Sequence, residues 1–236
     1  MRMTAKATGL FLLLVAPPLS MASIVMDVEV TCPIGGERFE ATVAMSGTQF
    51  GQNLDRRPFG PTVSPWPISK CPRNGFVIYK NDFTASEIDQ LMPYVNSVTY
   101  QTLQKHESDY YLAARLMQHL GAPKSAIADA LLKATWEVEQ DNRYERYANE
   151  ALIVFEALLA DLPHEFSPVQ AASYQQIAGE LERRLGLFDK AIRRFKALID
   201  APGVRGSELE KVVCQEIALT EAKDSGTQPY DDAPRP

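Results

Sequence analysis

Three cysteines, three histidines and two tryptophans in 236 residues leave little material for metal or redox chemistry. The histidines, His106, His119 and His164, are spread along the chain and none belongs to a paired HxxxH-type motif. There is no GxSxG nucleophile elbow, no glycine loop to cradle a phosphate, no HExxH helix and no cysteine inside a local catalytic signature. Glu180 and Glu182, two positions apart, cannot share a helix face, so they make a poor acid/base pair. Basic runs are missing as well. With 24 Lys and Arg against 30 Asp and Glu, the formal charge is −6, which disfavours nucleic acid or an anionic membrane surface as partner. Long apolar runs are also absent: Leu10–Ala16 falls far short of the roughly 20 residues a membrane-spanning helix needs. These absences point away from an enzyme of recognisable type and imply no cofactor and no metal.

The short apolar run is nonetheless informative. Arg2 and Lys6 precede it, Pro17-Pro18 ends it, and Ser20-Met21-Ala22 places small residues at the −3 and −1 positions of a cleavage site. That layout predicts a signal peptide over residues 1–22 and a periplasmic or secreted protein with no membrane span after cleavage. Cleavage removes two basic residues and no acid, leaving 22 against 30 and a formal charge of −8 on 214 residues. That length suits one ordinary domain or two small ones. The chain ends in DSGTQPYDDAPRP, polar and proline-bearing, so residues 224–236 are predicted to be a disordered tail.

Residues 23–82 carry strand signals. Val28 and Val30 alternate with Asp27, Glu29 and Thr31, Phe39, Ala41 and Val43 alternate with Glu40 and Thr42, and FVIY at 76–79 is a compact β-rich run. Between them GQNLDRRPFGPTVSPWPISK is a Gly- and Pro-dense loop, too punctuated for a tight hairpin. Two stretches flanking it share an outline. TCPIGGERFE holds Cys32-Pro33 with Gly35-Gly36, and KCPRNGFVIY holds Cys71-Pro72 with Asn74-Gly75. Each has the form of a Cys-Pro-x-Cys-Gly zinc knuckle lacking its second thiol.

Residues 83–223 read as helices, near 84–95, 97–105, 108–120, 123–141, 143–161, 167–185, 188–200 and 207–223. Thr84-x-x-Glu87 and Ser207-x-x-Glu210 are capping boxes, Ser167-Pro168 is a cap with a first-turn proline, and Gly121 and Gly186 mark helix ends. Two segments are copies: EALIVFEALLAD (150–161) aligns without a gap to KAIRRFKALIDA (190–201), matching Ala151 with Ala191, Phe155 with Phe195 and Leu158 with Leu198. An internal helical repeat argues for stacked helical hairpins. Cys214, in KVVCQEIA, is expected to be an unpaired, buried packing residue.

With Gly179 in a first helix, Gly186 and Phe188 at the turn, and Ala191 and Phe195 in the second helix, residues 177–199 resemble a tetratricopeptide repeat. From TCP at 31 through YYLAARLMQHLGAP and KATWEVE to that repeat, the chain is similar to uncharacterised bacterial proteins with an N-terminal zinc-ribbon-like segment followed by tetratricopeptide-like helices. The resemblance implies an α+β, mainly α fold: a small antiparallel β segment, then a stack of antiparallel helices. It transfers no activity. Complete knuckles would offer one tetrahedral zinc four thiolates; here Gly35 and Asn74 leave two, and no histidine stands beside them. The resemblance thus implies neighbouring sulfurs, and in an oxidising compartment a Cys32–Cys71 disulfide in place of the metal. The repeat register further implies a partner-binding groove lined by Lys133 and Trp136 on an earlier helix and by Ser173, Gln176, Glu180 and Arg183. Trp136 is equally readable as core, and Arg183 with Arg184 as a solvated face. The expected function is a protein- or peptide-binding adaptor in the cell envelope; alternatives are a structural subunit of an envelope assembly or an enzyme without a recognisable motif.

Overall fold

The computed structural model describes residues 23–230; the expected signal peptide lies outside them. The strands pair in twos. β1 (Ile24–Thr31) and β2 (Arg38–Ser46) form an antiparallel hairpin, β3 (Gly51–Gln52) pairs with β4 (Pro58–Phe59), and β5 (Ser69–Lys70) pairs with β6 (Val77–Ile78). Eight helices follow: α1 (Ala85–Val95), α2 (Val98–His106), α3 (Asp109–His119), α4 (Lys124–Glu137), α5 (Tyr144–Leu159), α6 (Pro168–Arg184), α7 (Phe188–Leu198) and α8 (Glu208–Glu221). The fold is α+β, mainly α.

Local chemistry explains most helix ends. At α1 the Thr84 hydroxyl accepts from the Glu87 amide and the Glu87 carboxylate accepts from the Thr84 amide, so two otherwise unpaired donors are satisfied. Ser167 and Gln170 do the same at α6, with Pro168 in the first turn. Gly121 and Gly186 follow α3 and α6 at φ of +66° and +73°, a conformation that is cheap without a Cβ. The box expected at Ser207 does not form. Its hydroxyl donates back to Val204 O at 2.6 Å, and Glu210 accepts from the Gly206 amide instead. α4 stops at Glu137 rather than 141, because Val138–Asp141 make a turn closed by the Asp141 amide on Val138 O at 2.9 Å.

From α3 onward, consecutive helices pack against each other in antiparallel pairs. The start of α3 meets the end of α4 through Tyr110 N on Glu137, and the start of α4 meets the end of α5 through Lys124 on Asp161. Apolar side chains form three cores in series. The first joins the disulfide region (Cys32, Cys71, Phe76, Val77) to Leu91, Tyr100, Leu112 and Leu116 of α1–α3. The second runs through α3–α6, and the third through α6–α8. The β segment thus shares its core with α1–α3, and residue 82 marks a change of secondary structure, not a gap between cores.

α8 buries Val213, Glu216 and Thr220, positions three and four apart, and Cys214 falls off that stripe. Cys214 is therefore exposed, although free as expected. Its apolar neighbours in sequence are not neighbours on its face of the helix.

Candidate functional site

Cys32 and Cys71 are joined by a disulfide, with Cα atoms 5.7 Å apart. The two turns that hold them are built alike. In one, the Cys32 amide donates to Glu37 O and the Gly36 amide to Cys32 O; in the other, Cys71 donates to Phe76 O and Gly75 to Cys71 O. Both Gly36 (φ +68°) and Gly75 (φ +72°) occupy the left-handed region that such a turn demands. Asn74 stands where the second knuckle would carry its other thiol. Its amide nitrogen donates across to Ile34 O at 2.8 Å while its oxygen accepts from the Phe76 amide at 2.9 Å, so it pins one turn to the other. Each bonded cysteine is 1% exposed, and the pair is a buried structural crosslink.

The face of α6 predicted to line a groove is reached by two segments from outside the helical stack. The tip of the β3–β4 hairpin, Asn53–Arg57, closes on itself through Asn53 N to Arg57 O at 2.8 Å, and inserts Leu54 and Asp55, which are 2% and 5% exposed. The segment after α8 lies beside it. Leu54 N donates to Gln228 O at 2.9 Å, Tyr230 N donates to Gln52 O at 3.0 Å, and Asn53 bridges Pro229. Residues 224–230 are accordingly an ordered strap, which corrects the expected disorder over that part of the tail; residues 231–236 lie outside the described region.

These contacts split the predicted groove residues into two sets. Gln176, Glu180 and Arg183 are no more than 1% exposed, so they are not an open binding surface. Gln176 donates to Leu54 O and to Glu216. The Arg183 guanidinium takes Glu180 in a two-point pairing at 2.7 Å, lies 3.3 Å from Glu216, and donates to Asp224 O and Gly226 O of the strap. Each of its three nitrogens thus has an acceptor, as a fully buried cation requires. Arg184 also turns inward, toward Asp55 (3.8 Å), Glu139 (3.5 Å) and the ring of Tyr144, rather than onto a solvated face. The register pointed these residues the right way; the hairpin tip and strap occupy the space they face.

Lys133 and Trp136 of α4 and Ser173 of α6 do come together. They line a cavity of about 290 Å³ between the two helices, with Tyr174 and Ile177 on one wall and Arg56 from the hairpin tip. Trp136, 8% exposed, serves as core and cavity wall at once, and its buried indole N–H finds no acceptor among the described residues. Arg56 was not foreseen from the sequence. It takes φ of +65°, unusual for a residue with a Cβ, and its guanidinium approaches Ser173 O at 3.4 Å.

Burial dominates the electrostatics beside this cavity. It pushes the Asp55 carboxyl up to about 6, against the lowering effect of the Arg57 amide that it accepts. Glu216 is raised well above the usual carboxylate range by burial first and by neighbouring Glu180 second. Two carboxyls and one guanidinium share a dry space there, which favours the protonated form of Glu216.

Successive helical hairpins thus flank a small cavity of mixed polar and apolar lining. The family described as "uncharacterized protein conserved in bacteria (DUF2225)" matches residues 25–217, and the chain belongs to it. No curated protein and no solved structure matches the chain.

Proposed function

We propose that the protein is an exported helical-repeat adaptor of the bacterial envelope that binds a protein or peptide partner, not an enzyme. In this reading the paired cysteine turns are a degenerate zinc ribbon with a disulfide in place of the metal, and α4–α7 are tetratricopeptide-like hairpins. The observation that carries the reading is the cavity between α4 and α6, where Lys133, Trp136 and Ser173 from two successive first helices meet. Export is supported by the signal-peptide layout of residues 1–22 and by a buried disulfide, which oxidising compartments favour. No helix among the described residues is long and apolar enough to cross a membrane. The test is site-specific photo-crosslinking in the native host from position 133 and, as control, from Ile153, 67% exposed on α5. A partner captured from position 133 alone supports the adaptor; identical patterns from both positions refute it.

A structural-subunit reading draws on the hairpin of β1 and β2, where Ile24, Val25, Met26 and Met45 are 47–62% exposed. Successive strand residues point to opposite faces, so these side chains put exposed apolar surface on both sides of the hairpin, where a partner could cover it. Light scattering of the mature protein distinguishes the two, since the subunit reading requires self-association and the adaptor reading does not.

A further inference from the structure

We infer that the cavity between α4 and α6 binds a single carboxylate carried on an apolar or aromatic body. The inference rests on the adaptor reading and specifies what the site recognises. Its first support is charge. Arg57, Arg183, Arg184 and Arg194 each lie within ion-pair distance of a carboxylate. Arg56 and Lys133, which line this cavity, form no such pair among the described residues: Arg56 reaches a backbone carbonyl, and Lys133 lies 5.5 Å from the ring of Tyr110. Asp129 acts on both cations from beyond ion-pair distance. Two cations and one acid leave the site at +1, which one carboxylate neutralises. A phosphate monoester, with about two charges, would leave excess negative charge beside Asp129.

The second support is shape. Trp136, Tyr174 and Ile177 supply an apolar and aromatic wall, and about 290 Å³ lies at the small end of ligand cavities. One side-chain-sized body fits, and a folded element does not. Partial burial of Arg56 strips it of water, so an incoming anion meets it in a medium of low dielectric. The left-handed backbone at Arg56, held by its amide on Asn53 O at 2.8 Å, fixes the tip that carries the guanidinium toward α6.

Such a group has two sources, a free small acid or the C-terminal residue of a partner chain. The chain has two tryptophans, so a Trp66→Phe variant makes Trp136 the sole indole reporter. Its fluorescence is titrated with 3-phenylpropanoate and its amide, and with a short peptide ending in phenylalanine, as free acid and as C-terminal amide. Saturable response to an acid but not to its amide is expected, weakened at least tenfold by Arg56→Gln and by Lys133→Gln, and strengthened by Asp129→Asn. Saturation by the small acid identifies a free ligand; saturation by the peptide acid alone identifies a chain end. Acid and amide responding equally, neither arm responding, or Lys133→Gln binding unchanged would overturn the inference, the last deciding even where Arg56→Gln fails to fold. If crosslinking from position 133 still captures a partner whose binding ignores both charge substitutions, the carboxylate inference fails and the adaptor reading survives.

Discussion

Gly179 of α6 and the ring of Phe195 on α7 occupy adjoining space: a methyl group built on Gly179 would lie 2.4 Å from Phe195 Cε1 and 2.6 Å from Cζ. The glycine exists in mid-helix because the aromatic ring of the repeat needs its place. Gly179→Ala should cost about 1–3 kcal/mol through overpacking, after any gain of up to about 1 kcal/mol in helix propensity. Chemical denaturation measures it. An unchanged or raised midpoint would mean that the ring moves aside freely.

The disulfide and the third thiol give a second expectation. Cys32 and Cys71 are sealed from solvent while Cys214 is exposed. Alkylation of the native protein should label Cys214 alone, and non-reducing peptide maps should link the other two. Replacing both cysteines by serine opens a crosslink that spans 39 residues and should cost roughly 4 kcal/mol on the chain-entropy argument. Labelling at Cys32 or Cys71 without reductant would contradict the structure.

Stability should fall as the pH rises from about 5 to 7, the upper part of the range over which Asp55 titrates differently in the two states. Asp55 protonates near 6 in the folded protein and near 3.8 when unfolded, so between these values the unfolded state binds fewer protons and gains on the native state as protons become scarce. The loss is complete above about pH 6–7 and is of order 1–3 kcal/mol for a shift of about two units. Glu216 acts in the same direction. Glu87 and Asp141, held low by Lys80 and Arg143, titrate below this window and do not interfere. Urea denaturation at pH 5 and pH 8 should show a smaller difference for Asp55→Asn than for the wild type.

Glu180 and Glu216 should respond unequally to the same change. Glu216→Gln puts a neutral isostere in place of a carboxyl whose protonated form burial favours, and should shift stability by less than about 1 kcal/mol. Glu180→Gln removes the charge that pairs with Arg183 in a fully buried setting and should cost about 3–5 kcal/mol. Equal effects would mean that the proton is shared differently between the two carboxyls.

The helices were legible because their signals are local. Thr84 with Glu87, Ser167 with Gln170, and glycines 121 and 186 act within a turn of the residues that they stop or start. The aligned Ala and Phe positions of the repeat are buried in both copies, since one contact geometry selects one residue pattern. What lay hidden is carried by distant partners. Gln176 meets Leu54 across 122 residues, and nothing in GQNLDRRPFG or DSGTQPY signals that these stretches cover α6. Arg183 and Arg184 show the same limit. Adjacent arginines at a helix end read as a solvated face until the acids from other elements that meet them are in view.

The backbone bridge between Asn53 and Pro229 joins positions 176 residues apart in the chain. A chain that leaves the ribosome or a membrane pore from its N-terminal side onward presents the hairpin tip well before the strap. Leu54, Asp55 and the inward-facing row of α6 must therefore wait, uncovered, until the strap has emerged. Contacts of such long reach form late because the loop they close costs entropy that no local pairing offsets. A late segment becomes the clasp that closes over an early one.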